Sequence, residues 1–136
     1  MIMPADDRKE RFLIGKTADC AYDFAATMTL ASRVYKGNTD YPDFSDKALA
    51  AAKKAYDWAA SQRHYVMFQN PSDCNTGSYA SSEMKDEQFW AASELLISTG
   101  DAKYASILKF SQYFTVPFWG DVCTLGLISL MHNENA

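Results

Sequence analysis

The stretch T-G-S-Y-A-S-S-E-M-K-D-E-Q-F-W-A-A-S-E-L-L-I-S-T-G-D-A-K-Y, from Thr76 to Tyr104, decides how the rest of the chain is read. It opens on a polar, glycine-containing loop, sets Asp86 beside Glu87, follows them with Phe89 and Trp90, and runs on through strong helix formers. At Thr99-Gly100-Asp101 a glycine provides the stop and an aspartate the next N-cap. The pattern predicts a helix from Lys85 to Thr99 and another from Asp101 to Phe114, joined as a hairpin with almost no linker.

Downstream, Thr115-Val116-Pro117-Phe118-Trp119-Gly120 cannot continue a helix, because Pro117 has no N–H to donate and restricts Val116. This reads as an aromatic loop. Asp121 then opens a further helix in which Val122, Leu125, Ile128 and Ser129 recur at helical spacing; it is apolar around most of its circumference and calls for burial on several sides. Upstream, Arg63 to Ser82 loses periodicity, and Asn70-Pro71, Asn75 and Gly77 mark turns, with room for a short extended piece at Tyr65 to Phe68.

Before that loop, Ser45 to Gln62 is an alanine-rich helix with Leu49, Ala52, Tyr56 and Ala59 on one face and Lys53 and Asp57 pointing outward. Gly37-Asn38 ends an earlier helix that begins near Thr17, in which Ala21, Phe24, Ala25, Met28, Ala31 and Tyr35 mark the amphipathic period and Thr17 or Asp19 is a candidate cap. Met1 to Lys16 reads as an irregular lead-in. The sum is an all-α chain of about five helices in antiparallel hairpins, either a bundle or part of a larger curved array, with no internal sequence repeat.

With 136 residues, 48% of them hydrophobic, the chain supports one core and is treated as one unit, residues 1–136. Lys+Arg 13 against Asp+Glu 17 gives a net charge of −4, no electrostatic footprint for nucleic acid or an anionic membrane surface. No segment approaches the length of a membrane span, and the charged run from Asp6 to Arg11 lacks the apolar core of a signal peptide. Cys20, Cys74 and Cys123 are odd in number and widely spaced, so they read as buried thiols, and His64 and His132 have no partner at metal spacing. Trp58 and Trp90 fall on amphipathic helices and read as core. No nucleophile elbow, P-loop or dinucleotide-binding glycine pattern is present.

Asp86 and Glu87 are consecutive on a helix, where neighbouring side chains do not face each other, so they make a poor opposed acid and base. Carboxylates in a first helical turn can satisfy free N–H groups, or, with backbone oxygens, hold a cation; the residues alone leave both open. Trp119 offers a flat ring that could stack on a sugar face or anchor its loop.

Three blocks taken in order resemble the catalytic domains of glycoside hydrolase family 9, the cellulases and related endoglucanases. They are T-A-D-C-A-Y-D-F-A-A-T-M-T-L-A-S-R-V-Y-K from Thr17 to Lys36, the D-E-x-x-W-A-A-x-E-L-x-x-x-T-G-D core of the central stretch, and F-W-G-D-V-C-T-L-G-L-I-S-L from Phe118 to Leu130. The resemblance implies hairpins belonging to an (α/α)6 barrel and a secreted or cell-surface parent enzyme. It implies inverting hydrolysis of β-1,4-glucan, with the glucan as substrate partner of the complete domain.

It also implies a structural Ca²⁺ held by the side chains of Asp86 and Glu87 and the carbonyls of Ser82 and Glu83, and a sugar cleft touched by Trp119 and, less directly, Tyr79. Ala80-Ser81 departs from the family pattern at the last of these. The family's upstream D-A-G-D motif and its late catalytic glutamate are not found here. Inverting hydrolysis needs two carboxyl groups about 6.5–9.5 Å apart, so no catalytic residue is assigned and the chain is expected to be a central, inactive piece of the domain, with exposed apolar surface and a tendency to self-associate. The competing expectation is a non-catalytic helical module that binds a glycan or a protein.

Overall fold

The computed structural model describes residues 3–8, 15–62, 67–70, 83–109 and 115–133. After a single 3-10 turn at Pro4–Asp6 come α1 (Ala18–Val34), α2 (Phe44–Ser61), α3 (Lys85–Thr99), the short α4 (Ala102–Ala105) and α5 (Cys123–His132). Among the described residues there is no strand, only an isolated bridge between Phe118 and Asp121.

The helices form two layers. α1 and α2 are antiparallel: Ser45 Oγ donates to the Ser32 carbonyl at 2.7 Å and Phe44 packs on Tyr35 at one end, while Tyr22 meets Tyr56 edge-on at the other. α1 and α3 run in the same direction, because Gln88 Nε2 reaches Tyr22 Oη at 3.2 Å near their starts and Arg33 Nη1 reaches Ser98 Oγ at 2.6 Å near their ends. α5 runs parallel to α3 as well, tied by Val122 N to Asp86 Oδ2 at 3.0 Å and by Ser129 Oγ to Glu94 Oε1 at 2.5 Å. So α1, α3 and α5 stand side by side with their N-termini at one end, and α2 returns behind them.

α3 is the central member. Phe89, Ala91, Ala92, Ser93, Glu94 and Leu95 are all buried, since α1, α4 and α5 contact different sides of it. Close approach of α5 depends on Gly126: a Cβ there would lie 2.9 Å from Ser93 Oγ and 3.0 Å from both Phe89 Cδ1 and Trp90 Cα.

At the middle of this layer Glu94 is 0% exposed, yet every oxygen has a partner. Oε2 pairs with Arg33 Nη2; Oε1 accepts from Trp90 Nε1 at 3.1 Å and from Ser129 Oγ; its carbonyl accepts from Arg33 Nη1 at 3.1 Å. A buried carboxylate is tolerable only when paired and hydrogen-bonded in this way.

Local signals explain the ends. Gly100 adopts φ 65°, the left-handed conformation of a helix stop, and Asp101 Oδ1 caps α4 by accepting from Lys103 N at 2.9 Å. Gly37 at φ 78° closes α1, and Asn38 Oδ1 accepts from Asp40 N and Tyr41 N in the turn to α2.

Three expectations change. The helix expected over Asp101–Phe114 is only Ala102–Ala105, followed by a turn; Phe110 to Phe114 lie outside the described residues. One turn suffices to seat Tyr104 edge-on against Tyr56 at 5.1 Å and complete a Tyr22–Tyr56–Tyr104 column across the two layers.

The buried face of α1 is Ala18, Tyr22, Ala25, Ala26, Thr29 and Ser32, rotated from the expected one, so Phe24 and Tyr35 are exposed. Small residues and self-satisfied hydroxyls let α1 pack closely; Thr29 Oγ1 donates to the Ala25 carbonyl and Ser32 Oγ to the Thr29 carbonyl. Thr17 makes no side-chain cap, whereas Asp19 accepts from Cys20 N at 2.8 Å and from Phe68 N at 3.2 Å. Tyr65 lies outside the described residues, and Met67 to Asn70 form no regular element.

Candidate functional site

The common end of the three parallel helices gathers the polar chemistry. Val122 N donates to Asp86 Oδ2, so the exit of the aromatic loop is fastened to the first turn of α3. The loop itself is a tight turn: Phe118 and Asp121 exchange two backbone hydrogen bonds of 3.1 Å each, leaving Trp119 and Gly120 at the tip. Thr115 Oγ1 donates to Asp121 Oδ2 at 2.7 Å, Cys123 N to Asp121 Oδ1 at 3.1 Å, and Thr124 Oγ1 to the Thr115 carbonyl. Trp119 is 71% exposed on this support, with Phe118 edge-on beside it at 6.1 Å. A large flat ring exposed on a well-tied turn is the kind of surface on which a sugar face can stack.

The heads of α1 and α3 at this end carry carboxylates that feel one another's charge, Asp19 and Asp23 on α1 and Asp86 and Glu87 on α3. Glu87 is 7% exposed, and its Oε2 has no hydrogen-bond partner; neither does the buried Asp23 Oδ1. Burial pushes the Glu87 carboxyl up to about 9, aided by a hydrogen bond with Asp86 and the charges of Asp86 and Asp23. Burial, then Asp86 and Asp19, pushes Asp23 up to about 6. Burial, with Asp121 and Asp86 adding, raises the Cys123 thiol to about 11.

Of the residues singled out from sequence, Asp86, Glu87 and Trp119 are brought to one end of the molecule. The Glu83 carboxylate pairs with Lys85 at 2.9 Å. Tyr79 and Ser82 lie outside the described residues. Asp86 does not cap its own helix but reaches across to α5.

Trp58 and Trp90 are half-buried against the core, as their helical spacing predicts. A groove of about 360 Å³ opens between α1, the end of α2 and the start of α3, lined by Tyr22, Gln62, Glu83, Met84, Lys85 and Gln88 among others; of the expected site residues that are described, Glu83 borders it while Asp86, Glu87 and Trp119 do not. Asp23 was not singled out from sequence. It sits in a run of alanines and aromatics, D-F-A-A, where a carboxylate on a packed helix is the available signal.

Three parallel helices backed by a returning one, with an exposed tryptophan on a tight turn at their shared end, form the frame in which the likeness to known proteins is read. Glycosyl hydrolase family 9 matches residues 3–133, and the chain belongs to that family. It is 39% identical over 139 residues to a xyloglucan-specific endo-beta-1,4-glucanase of Bacteroides ovatus, covering 94% of this chain and 23% of that protein. A cellodextrinase of Butyrivibrio fibrisolvens is 33% identical, covering 99% of this chain and 28% of the relative.

Among solved structures, the Bacteroides ovatus family 9 protein superposes with a TM-score of 0.87 at 35% identity over 99% of this chain and 26% of its own. An Alicyclobacillus acidocaldarius endoglucanase superposes with a TM-score of 0.81 at 29% identity over 96% of this chain and 25% of its own. The helices are therefore part of an (α/α)6 barrel, and the chain spans about a quarter of the length of these relatives.

Proposed function

We propose that this chain forms one wall of the glucan cleft of an inverting endo-β-1,4-glucanase and itself contributes no catalytic carboxylate. One observation carries the reading: Trp119 stands exposed on a tightly bonded turn that is fastened through Val122 to Asp86, at the shared end of the three parallel helices. A β-1,4-linked glucose unit offers flat apolar faces and equatorial hydroxyls, and such a ring stacks on indole. The polymer chemistry agrees with relatives named for xyloglucan, cellodextrin and endoglucanase activity, and with a related enzyme solved in complex with a cellobiose-like isofagomine. A β-1,4-glucan polymer is too large to enter a cell, so a secreted or cell-surface parent enzyme fits this reading.

Calcium is the second part of the proposal. Oxygen donors of the kind a hard cation takes are present, since Glu87 Oε2 is buried without a hydrogen-bond partner next to Asp86. Among the described residues no three acidic, histidine or cysteine side chains converge on one point. Asp86 and Glu87 would therefore be completed by the Glu83 carbonyl, the Ser82 carbonyl and water. The ion would supply charge neutralisation and a cross-link, while bond cleavage belongs to carboxyl groups elsewhere in the domain.

Calorimetric titration with a soluble cello-oligosaccharide tests the cleft. Trp119→Ala should weaken binding on the order of tenfold, which corresponds to about 1.4 kcal/mol. Affinity equal to that of the unaltered chain would remove Trp119 from the cleft.

A further inference from the structure

Resting on the calcium reading above, we infer that Asp23 of α1 is a further member of the cation site, holding the ion's outer shell so that calcium cross-links α1 to α3. The four carboxylates at the head of these helices fall into two kinds. Asp19 spends its oxygens on Cys20 N and Phe68 N, and Asp86 Oδ2 accepts from Val122 N. Asp23 Oδ1 and Glu87 Oε2, one from each helix, are buried and have no donor.

The Gln88–Tyr22 hydrogen bond sets the flanking residues 23 and 87 on adjoining turns, and the two groups feel each other's charge. Glu87 is more than nine-tenths buried, so its unpartnered oxygen faces the interior between the helices and not bulk water. Leaving two such oxygens unpaired costs stability that a shared cation would restore.

Basic side chains on neighbouring elements are engaged in other contacts. Lys16 lies over the Trp58 ring at 4.4 Å, Lys85 pairs with Glu83, and Arg33 pairs with Glu94 further along the helices. Since among the described residues no third acidic side chain reaches the same point as Asp86 and Glu87, Asp23 acts through a bound water, the ordinary role of an outer carboxylate in a calcium site.

The test is calorimetric titration of the chain with calcium chloride, with melting curves in calcium and after chelation. The unaltered chain should bind, Asp86→Asn should lose binding, and Asp23→Asn should bind roughly 10–100-fold more weakly, the range for loss of an outer-shell partner. Asp23→Asn should also melt no lower than the unaltered chain in chelator, because it removes a repelling charge. Asp46→Asn, an exposed change of the same charge on α2, should leave affinity intact.

Calcium affinity of Asp23→Asn equal to wild type overturns this inference alone, as does an equal loss in Asp46→Asn. No calcium binding by the unaltered chain overturns the calcium reading and this inference with it.

Discussion

Replacing Glu94 by alanine should be among the most damaging single changes in the chain. The carboxylate is fully buried and is shared by Arg33 from α1, Trp90 from its own helix and Ser129 from α5. Removing one partner of a buried pair costs about 3–5 kcal/mol, because the other charge is left uncompensated. The Arg33 side chain is 24% exposed and can recover some hydration, which favours the lower end, about 3 kcal/mol. Losing the acceptor for Trp90 Nε1 and Ser129 Oγ adds about 1 kcal/mol.

A total near 4 kcal/mol is a large part of the 5–15 kcal/mol typical of a domain. Urea unfolding followed by circular dichroism, at fixed calcium concentration, should show the midpoint falling with little change in slope. The double replacement Arg33→Met with Glu94→Leu should recover most of the loss, since an apolar pair of similar volume leaves no orphan charge. A loss below about 1 kcal/mol for Glu94→Ala, or a double variant as unstable as the sum of its singles, would refute this account of the hub.

Gly126→Ala should lower stability by about 1 kcal/mol, since overpacking against Ser93, Phe89 and Trp90 outweighs the gain in helix propensity; an unchanged or higher melting temperature would show that α5 can move away freely. In a Cys74→Ser background, an aromatic disulfide reagent at pH 8 should label the exposed Cys20 quickly and Cys123 slowly, because Cys123 is buried and its thiol is held up to about 11 and so stays protonated; equal rates would contradict its placement. Ile128 and Met131 on α5 are 44% and 67% exposed, and Val34 and Val116 are exposed as well, so light scattering should detect self-association that grows with concentration, whereas a monomer at all concentrations would contradict the expectation.

Periodicity and helix-end chemistry made α2, α3 and the Gly100–Asp101 junction legible, because alanine-rich runs, a glycine stop and an aspartate cap are local signals. The inner face of α1 departs from its amphipathic period for a physical reason. Its inner side carries alanines, Thr29 and Ser32, whose hydroxyls are satisfied within the helix, while Phe24 is left outward, so size was a poor guide to burial. α4 is shorter than its helical period suggests, because after Ala105 the described chain turns at Ser106 and Ile107 instead of continuing the helix.

Glu94 had a readable mark, a lone acid in A-A-S-E-L-L-I four residues after Trp90, but its partners lie on α1 and α5 and no local pattern names them. The same holds for Asp23 and for Gly126, whose roles arise only when separate helices are brought together. Asp86, Glu87 and Trp119 are legible as candidates because their residue types match a family pattern; the structure adds the Val122–Asp86 hydrogen bond that ties the Trp119 turn to the first turn of α3.

Assay of reducing-end release from soluble β-1,4-glucan by this chain alone tests most directly the claim that it is a cleft wall without catalytic carboxylates. The account predicts no release above background from a preparation that is folded by circular dichroism. Hydrolysis that persists through purification and is lost in Asp86→Asn would contradict it, and would place the reacting acid inside these helices.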